Sequence, residues 1–215
     1  MKNIKYKLTV YLIFGAAMAY VESAVVVYLR LLYYPDGFRF PLKIIPEDIA
    51  IIELGREAAT IIMLWFVAKI GARNFREKFS LFIFTFGVWD LFYYGWLKLM
   101  LNWPGDWLEW DVLFLIPVPW FAPWLAPAIV SMGFIFSSIL ILRYPDRFLP
   151  NILSRKGWFV EISSAFIIIW SFLWETGSVL GGNTPAGFPW WLFLTGMTLG
   201  LVVFMRQFMN NPRKA

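Results

Sequence analysis

Two residue types are missing altogether: the chain has no cysteine and no histidine. Without cysteine there is no disulfide, no thiolate nucleophile and no sulfur ligand. Without histidine there is no imidazole base or ligand. His-ligated haem, zinc and copper sites with their usual donors, and Ser–His or Cys–His catalysis, are therefore excluded. Any metal cofactor would be a hard divalent cation on oxygen ligands, such as Mg²⁺, Ca²⁺ or Mn²⁺. No glycine-rich phosphate loop of the P-loop form occurs. Lys98 has no serine beside it in sequence with which to form a Ser–Lys pair.

Charge is scarce as well. Charged residues are 15% of the 215 and apolar residues 60%, where a soluble domain has about a quarter and about half. Mean hydropathy is +0.65. That excess of apolar surface needs lipid, other membrane subunits or a second copy of the chain against it. The formal charge of +5 does not point to nucleic acid, because the basic residues fall between hydrophobic stretches instead of forming one patch. Lys2, Lys5 and Lys7 precede an apolar run reaching about Tyr34, too long for the core of a cleavable signal.

Crossing about 30 Å of hydrocarbon takes about 20 helical residues. Five runs meet this: Leu8–Tyr33, Ile49–Ile70, Phe79–Leu101, Trp158–Leu180 and Phe188–Phe208. The stretch from Trp107 to Leu142 is too long for one span, and Pro117, Pro119, Pro123 and Pro127 interrupt it. Proline is tolerated in the first turn of a helix and breaks its interior. The fourth span is therefore expected over Pro123–Leu142. Trp107–Val118 is left as a short interfacial helix or a re-entrant segment on the outer side. The sequence thus predicts an all-α, single-domain, multi-pass protein of the cell membrane, a bundle of six transmembrane helices.

Loop charges give the orientation. Lys2, Lys5 and Lys7, then Lys69, Arg73, Arg76 and Lys78, then Arg143, Arg147, Arg155 and Lys156, then Arg206, Arg213 and Lys214 lie on one side. The other side is poor in base and holds Asp36, Glu47, Asp48, Asp106 and Glu109. The positive-inside rule makes both termini cytoplasmic. Trp103, Trp107, Trp110, Trp190 and Trp191 then form an aromatic belt at the outer interface. Gly15 with Ala19, and Gly196 with Gly200, are small-xxx-small pairs that mark close helix packing.

The informative residues are ionisable groups inside the spans, where a charge costs several kcal/mol unless it faces the bundle interior. Glu22, Glu53, Glu57, Asp90 and Glu175 all fall between the midplane and the outer face, with Arg30, Arg56 and Lys98 as the bases and Asp111 as a sixth carboxylate. Acids outnumber bases. Buried carboxylates without a base need a proton, a cation or water, so an outward-facing polar cavity lined by Glu22, Glu53, Arg56, Glu57, Asp90, Lys98 and Glu175 is expected. Glu22, Glu57 and Asp90 are the candidates for a metal. The bland alternative is a set of ion pairs that only pin helices, Glu53 with Arg56 and Asp90 with Lys98 through Tyr94. Glu161 is expected at the inner interface with no special role. Three functional readings stay open: binding or translocation of a cation, proton or small polar solute; an intramembrane enzyme using a carboxylate-held metal on a lipid-like substrate; or a non-catalytic subunit of a membrane complex.

Overall fold

The computed structural model describes residues 2–43, 45–148 and 152–210; Arg213 and Lys214, counted above with the basic tail, lie outside the described residues. The helices are α1 (Lys2–Tyr33), α2 (Glu47–Ile70), α3 (Phe75–Leu101), α4 (Leu125–Arg143), α5 (Arg155–Leu173), α6 (Thr176–Leu180) and α7 (Trp190–Asn210), with a 3₁₀ turn at Pro145–Phe148. Between α3 and α4 lies the one element of another kind among the described residues, a hairpin of β1 (Trp110–Val112) and β2 (Phe121–Pro123). Four helical stretches, Ile4–Tyr33, Leu125–Arg143, Arg155–Leu180 and Trp190–Asn210, are long and apolar enough to cross a membrane. This marks the chain as a membrane protein. Helices α2 and α3 match them in length but are diluted by polarity: Glu53, Arg56 and Glu57 in one, Asp90 amid Trp and Tyr in the other.

Local chemistry sets the helix ends. Asn74 caps α3 by accepting from the Glu77 N–H at 3.0 Å, and Ser154 caps α5 by accepting from Gly157 at 3.1 Å. Each side chain satisfies a first-turn donor that has no partner within the helix. Left-handed Asn102 ends α3, a conformation Asn tolerates better than most residues.

Helices α1 and α4 pack along α3, and α5 packs along α7. The contacts are close because glycine stands at them. A Cβ on Gly15 of α1 would lie 3.0 Å from Val88 Cγ1 and 3.2 Å from the Thr85 carbonyl of α3. One on Gly87 would lie 2.6 Å from the Ser131 carbonyl of α4, and one on Gly196 of α7 would lie 2.7 Å from Ile168 Cγ1 of α5. The two groups of helices join where α4 meets α7: Ala126 clusters with Phe193, and Ile141 clusters with Phe148 and Phe204.

The start of α1 and the end of α7 lie at one end. Lys7 near the start of the chain donates to the Gly71 carbonyl at 2.8 Å, and Arg147 donates to the Phe208 carbonyl near the end of α7 at 2.9 Å. Phe79 in the second turn of α3 stacks edge-on against Trp158 at the start of α5. This is the terminal end; the β-hairpin closes the other, the hairpin end.

Two expectations are corrected. No helix forms over 107–118: Trp110 pairs with Pro123 and Val112 with Phe121 in an antiparallel ladder, and the residues between fold back into the bundle. Pro123 belongs to β2, and α4 starts at Leu125. Pro127 then sits in the first turn, where its missing N–H had no partner to lose. The fifth span, expected over Trp158–Leu180, lies within the single helical stretch Arg155–Leu180, with a turn at Trp174 and Glu175 between α5 and α6.

Candidate functional site

Between the two helix groups lies a cavity of about 790 Å³, walled by residues of α1 to α5, α7 and the hairpin. It runs along α3 from Phe79 to Tyr94, a distance of about 22 Å at the rise of an α-helix. Most of its wall is aliphatic and aromatic, including Phe82, Phe86, Trp89, Phe134, Ile168 and Phe172. Glu22, Arg56, Glu57, Thr60 and Asp90 converge at the hairpin end.

Each polar group there is held differently. Arg56 pairs with Glu22 of α1 and, one turn back on its own helix, with Glu53, its Nη2 lying 2.6 Å from Glu53 Oε2. Thr60 adds a hydrogen bond to Glu22 Oε2 at 3.1 Å. Glu57 has no base of its own; both carboxylate oxygens accept from the backbone N–H of Leu115 in the hairpin, at 2.8 and 3.1 Å. Asp90 also lacks a base and accepts from the Ser131 hydroxyl at 2.8 Å. One guanidinium thus serves three carboxylates that line this end, Glu22, Glu57 and Asp90, with Glu53 behind it. The surplus of negative charge is a property of this end of the cavity.

The hairpin roofs the cavity. Its Leu113, Phe114 and Trp120 face inwards, with Phe114 stacked on Phe86. Glu57 of α2 fastens one side at Leu115, and the Thr176 hydroxyl of α6 fastens the other, donating to the Pro119 carbonyl at 2.8 Å. Behind it, Arg30 bonds Asp111 at 3.1 Å while its guanidinium lies 3.8 Å from the Trp103 ring and 4.4 Å from Phe38. A buried charge is tolerable when it is both paired and covered by ring faces in this way. Below the roof, α2 and α5 both line the cavity but do not pack along one another among the described residues.

The sequence-expected residues divide. Glu22, Arg56, Glu57 and Asp90 line the cavity, and Glu53 stands behind Arg56 as its second partner. Lys98 is elsewhere: its ammonium donates to the Asn102 and Pro104 carbonyls at 3.3 and 2.9 Å, closing the end of α3. The Asp90–Lys98 pair through Tyr94 does not form. Glu175 accepts from the Ala186 and Gly187 N–H groups and ties down the loop before α7. Asp111, counted among the surplus acids, belongs to Arg30. Glu22, Glu57 and Asp90 do not meet as a donor set for a metal: no three acidic side chains among the described residues are placed to hold an ion. Three different donors have captured them instead.

Two contributors carried little signal in the sequence. Ser131 is one of three serines in an otherwise apolar helix and gave none. Glu161, expected at the interface, in fact lines the terminal-end half of the cavity; the stripe it forms with Ser164 and Ser171 on α5 was the available hint. No protein-family model, curated protein or solved structure matches the chain, so the reading of the site rests on its own geometry.

Proposed function

We propose that this is a six-span membrane protein, with both termini cytoplasmic, that binds an amphiphilic molecule drawn from the bilayer. The ligand's apolar body fills the aromatic cavity, and a cationic or hydrogen-bond-donating head meets Glu22, Arg56, Glu57 and Asp90. The observation that carries this is the composition of the cavity between the helix groups: an apolar wall some 22 Å long whose acidic and basic groups, all but Glu161, gather at the hairpin end. A volume near 790 Å³ is within the range of sites that enclose a small organic ligand, about 300–1,000 Å³. A small hydrated solute would leave most of this wall against water.

Crossing by α2 and α3 is supported by where their charges go: Glu57 and Asp90 turn into the cavity, so the faces towards lipid stay apolar. The terminal end gathers Lys7, Lys69, Arg73, Arg76, Lys78, Arg143, Arg147, Arg155 and Lys156, the distribution of a cytoplasmic face.

The test is binding in lipid nanodiscs, read by quenching of the cavity tryptophans Trp89, Trp120 and Trp158. A straight-chain alkylamine is expected to bind saturably, and an alkyl sulfate of equal length at least about tenfold more weakly. Asp90→Asn and Glu22→Gln are each expected to cost the amine about tenfold, the scale of one charge-assisted hydrogen bond. Indifference to the head group, or no saturable binding, overturns the reading.

A further inference from the structure

The outer cluster accounts for only one end of the cavity. Glu161, on α5, faces into the same space at the other end. It makes no hydrogen bond or ion pair among the described residues. It approaches the bare backbone of Gly200, where a Cβ would stand 3.0 Å from Glu161 Oε2 and 2.9 Å from the Ser164 hydroxyl, and that hydroxyl already donates to the Gly196 carbonyl. The basic residues nearest in sequence, Arg155 and Lys156, are exposed in the first turn of α5; neither lines the cavity. A carboxylate held in an apolar wall without a partner costs several kcal/mol. A ligand with a single head at the outer cluster would lay hydrocarbon against it.

We propose that Glu161 is a second polar subsite, and that the cavity's ligand carries a cationic, hydrogen-bond-donating group at each end of its apolar body. The inference rests on the amphiphile reading above. Helices α3 and α5 run the same way, with Phe79 beside Trp158 at their starts. Glu161 lies three residues inwards of Trp158, level with about Phe82, and Asp90 is eight residues further along α3. The two acidic stations are thus roughly 12 Å apart along the helix axis. Between them the cavity wall is dominated by ring and aliphatic carbon, with Phe86, Phe134 and Ile168 among its members. The ligand class is therefore an α,ω-dication with a hydrocarbon middle.

The test compares a straight-chain alkylamine with the α,ω-diamine of the same chain, nitrogens about 12–15 Å apart when extended, on the full chain in nanodiscs by tryptophan quenching. The diamine is expected to bind at least about tenfold more tightly. Glu161→Gln is expected to erase that margin and leave the monoamine within about twofold. A diamine of half the length is expected to show no margin on the unmutated protein, a check that needs no variant to fold. Equal affinity for the long diamine and its monoamine overturns the second subsite, as does a margin that survives Glu161→Gln or that the short diamine shares. If neither amine binds saturably, the amphiphile reading itself falls. Head-group-selective binding of the monoamine with no diamine margin leaves that reading standing and removes only the second subsite.

Discussion

The hairpin end and the terminal end of this bundle solve the same problem in opposite ways. At the hairpin end, charge is brought inside and matched: Arg30 to Asp111, Arg56 to Glu22 and Glu53, Glu57 to a peptide N–H. At the terminal end, the bases are kept at the rim, Glu161 alone among the acids lines the cavity, and the interior is closed by rings, Phe148 on Phe204 with centroids 5.4 Å apart and Phe79 on Trp158 at 5.5 Å. The first solution fixes geometry and is fragile to the loss of one partner. The second is tolerant, because packing is shared among many weak contacts.

The largest effect that would sharpen this contrast is at Arg30. Replacing Arg30 by Met leaves Asp111 buried without a counter-charge and is expected to cost about 3–5 kcal/mol, read as thermal unfolding in detergent. The pair Arg30→Met with Asp111→Leu should recover most of that loss. A loss below about 1 kcal/mol for the single variant would make the two ends energetically alike. At the terminal end, Phe204→Ala is expected to cost less, about 1–3 kcal/mol. Between membrane helices the lost term is mainly packing, without the usual transfer from water.

Glu57→Leu comes next. It removes the acceptor for Leu115 and is expected to destabilise by about 1–2 kcal/mol while making the hairpin markedly more susceptible to protease cleavage in detergent. Unchanged cleavage would show that Thr176 alone secures the roof. The smallest effect is at the rim. Glu77 lies ahead of the membrane-embedded part of α3; partial burial works to raise its carboxyl, but the Arg73 N–H and Lys7 outweigh this and hold it below the usual carboxylate range. A depressed acid contributes stability above its unfolded pKa and loses it as pH falls through the folded one. The Lys7–Glu77 contribution, at most about 1 kcal/mol for so exposed a pair, should therefore be present at neutral pH. It should fade below about pH 4, and Glu77→Gln should remove that slope.

The helices were legible because lipid demands long apolar runs, and Gly15, Gly196 and Gly200 flagged the close contacts between them. The hairpin was not, because three-residue strands carry no usable period and Pro117, Pro119 and Pro123 argue only against helix. The position of an acid along a helix was readable, but its direction was not. Lys98 lies one turn from Tyr94 and two from Asp90, yet it turns to the carbonyls beyond its own helix. Glu161 enters the cavity because Gly200 lets α7 close against α5 beneath it. Partner choice was hidden too. Glu57 bonds a backbone group 58 residues away, and a backbone group has no letter in a sequence.

That last contact makes the site's tolerance to change lopsided. A carboxylate that clasps a peptide N–H is blind to the side chain that peptide carries, so position 115 can drift among nearly all amino acids without unfastening the roof, with proline the exception because it has no hydrogen to offer. Position 57 has no such freedom, since even aspartate is one methylene short of the same reach. Evolution could thus redecorate this stretch of the hairpin while the clasp on the helix stays fixed.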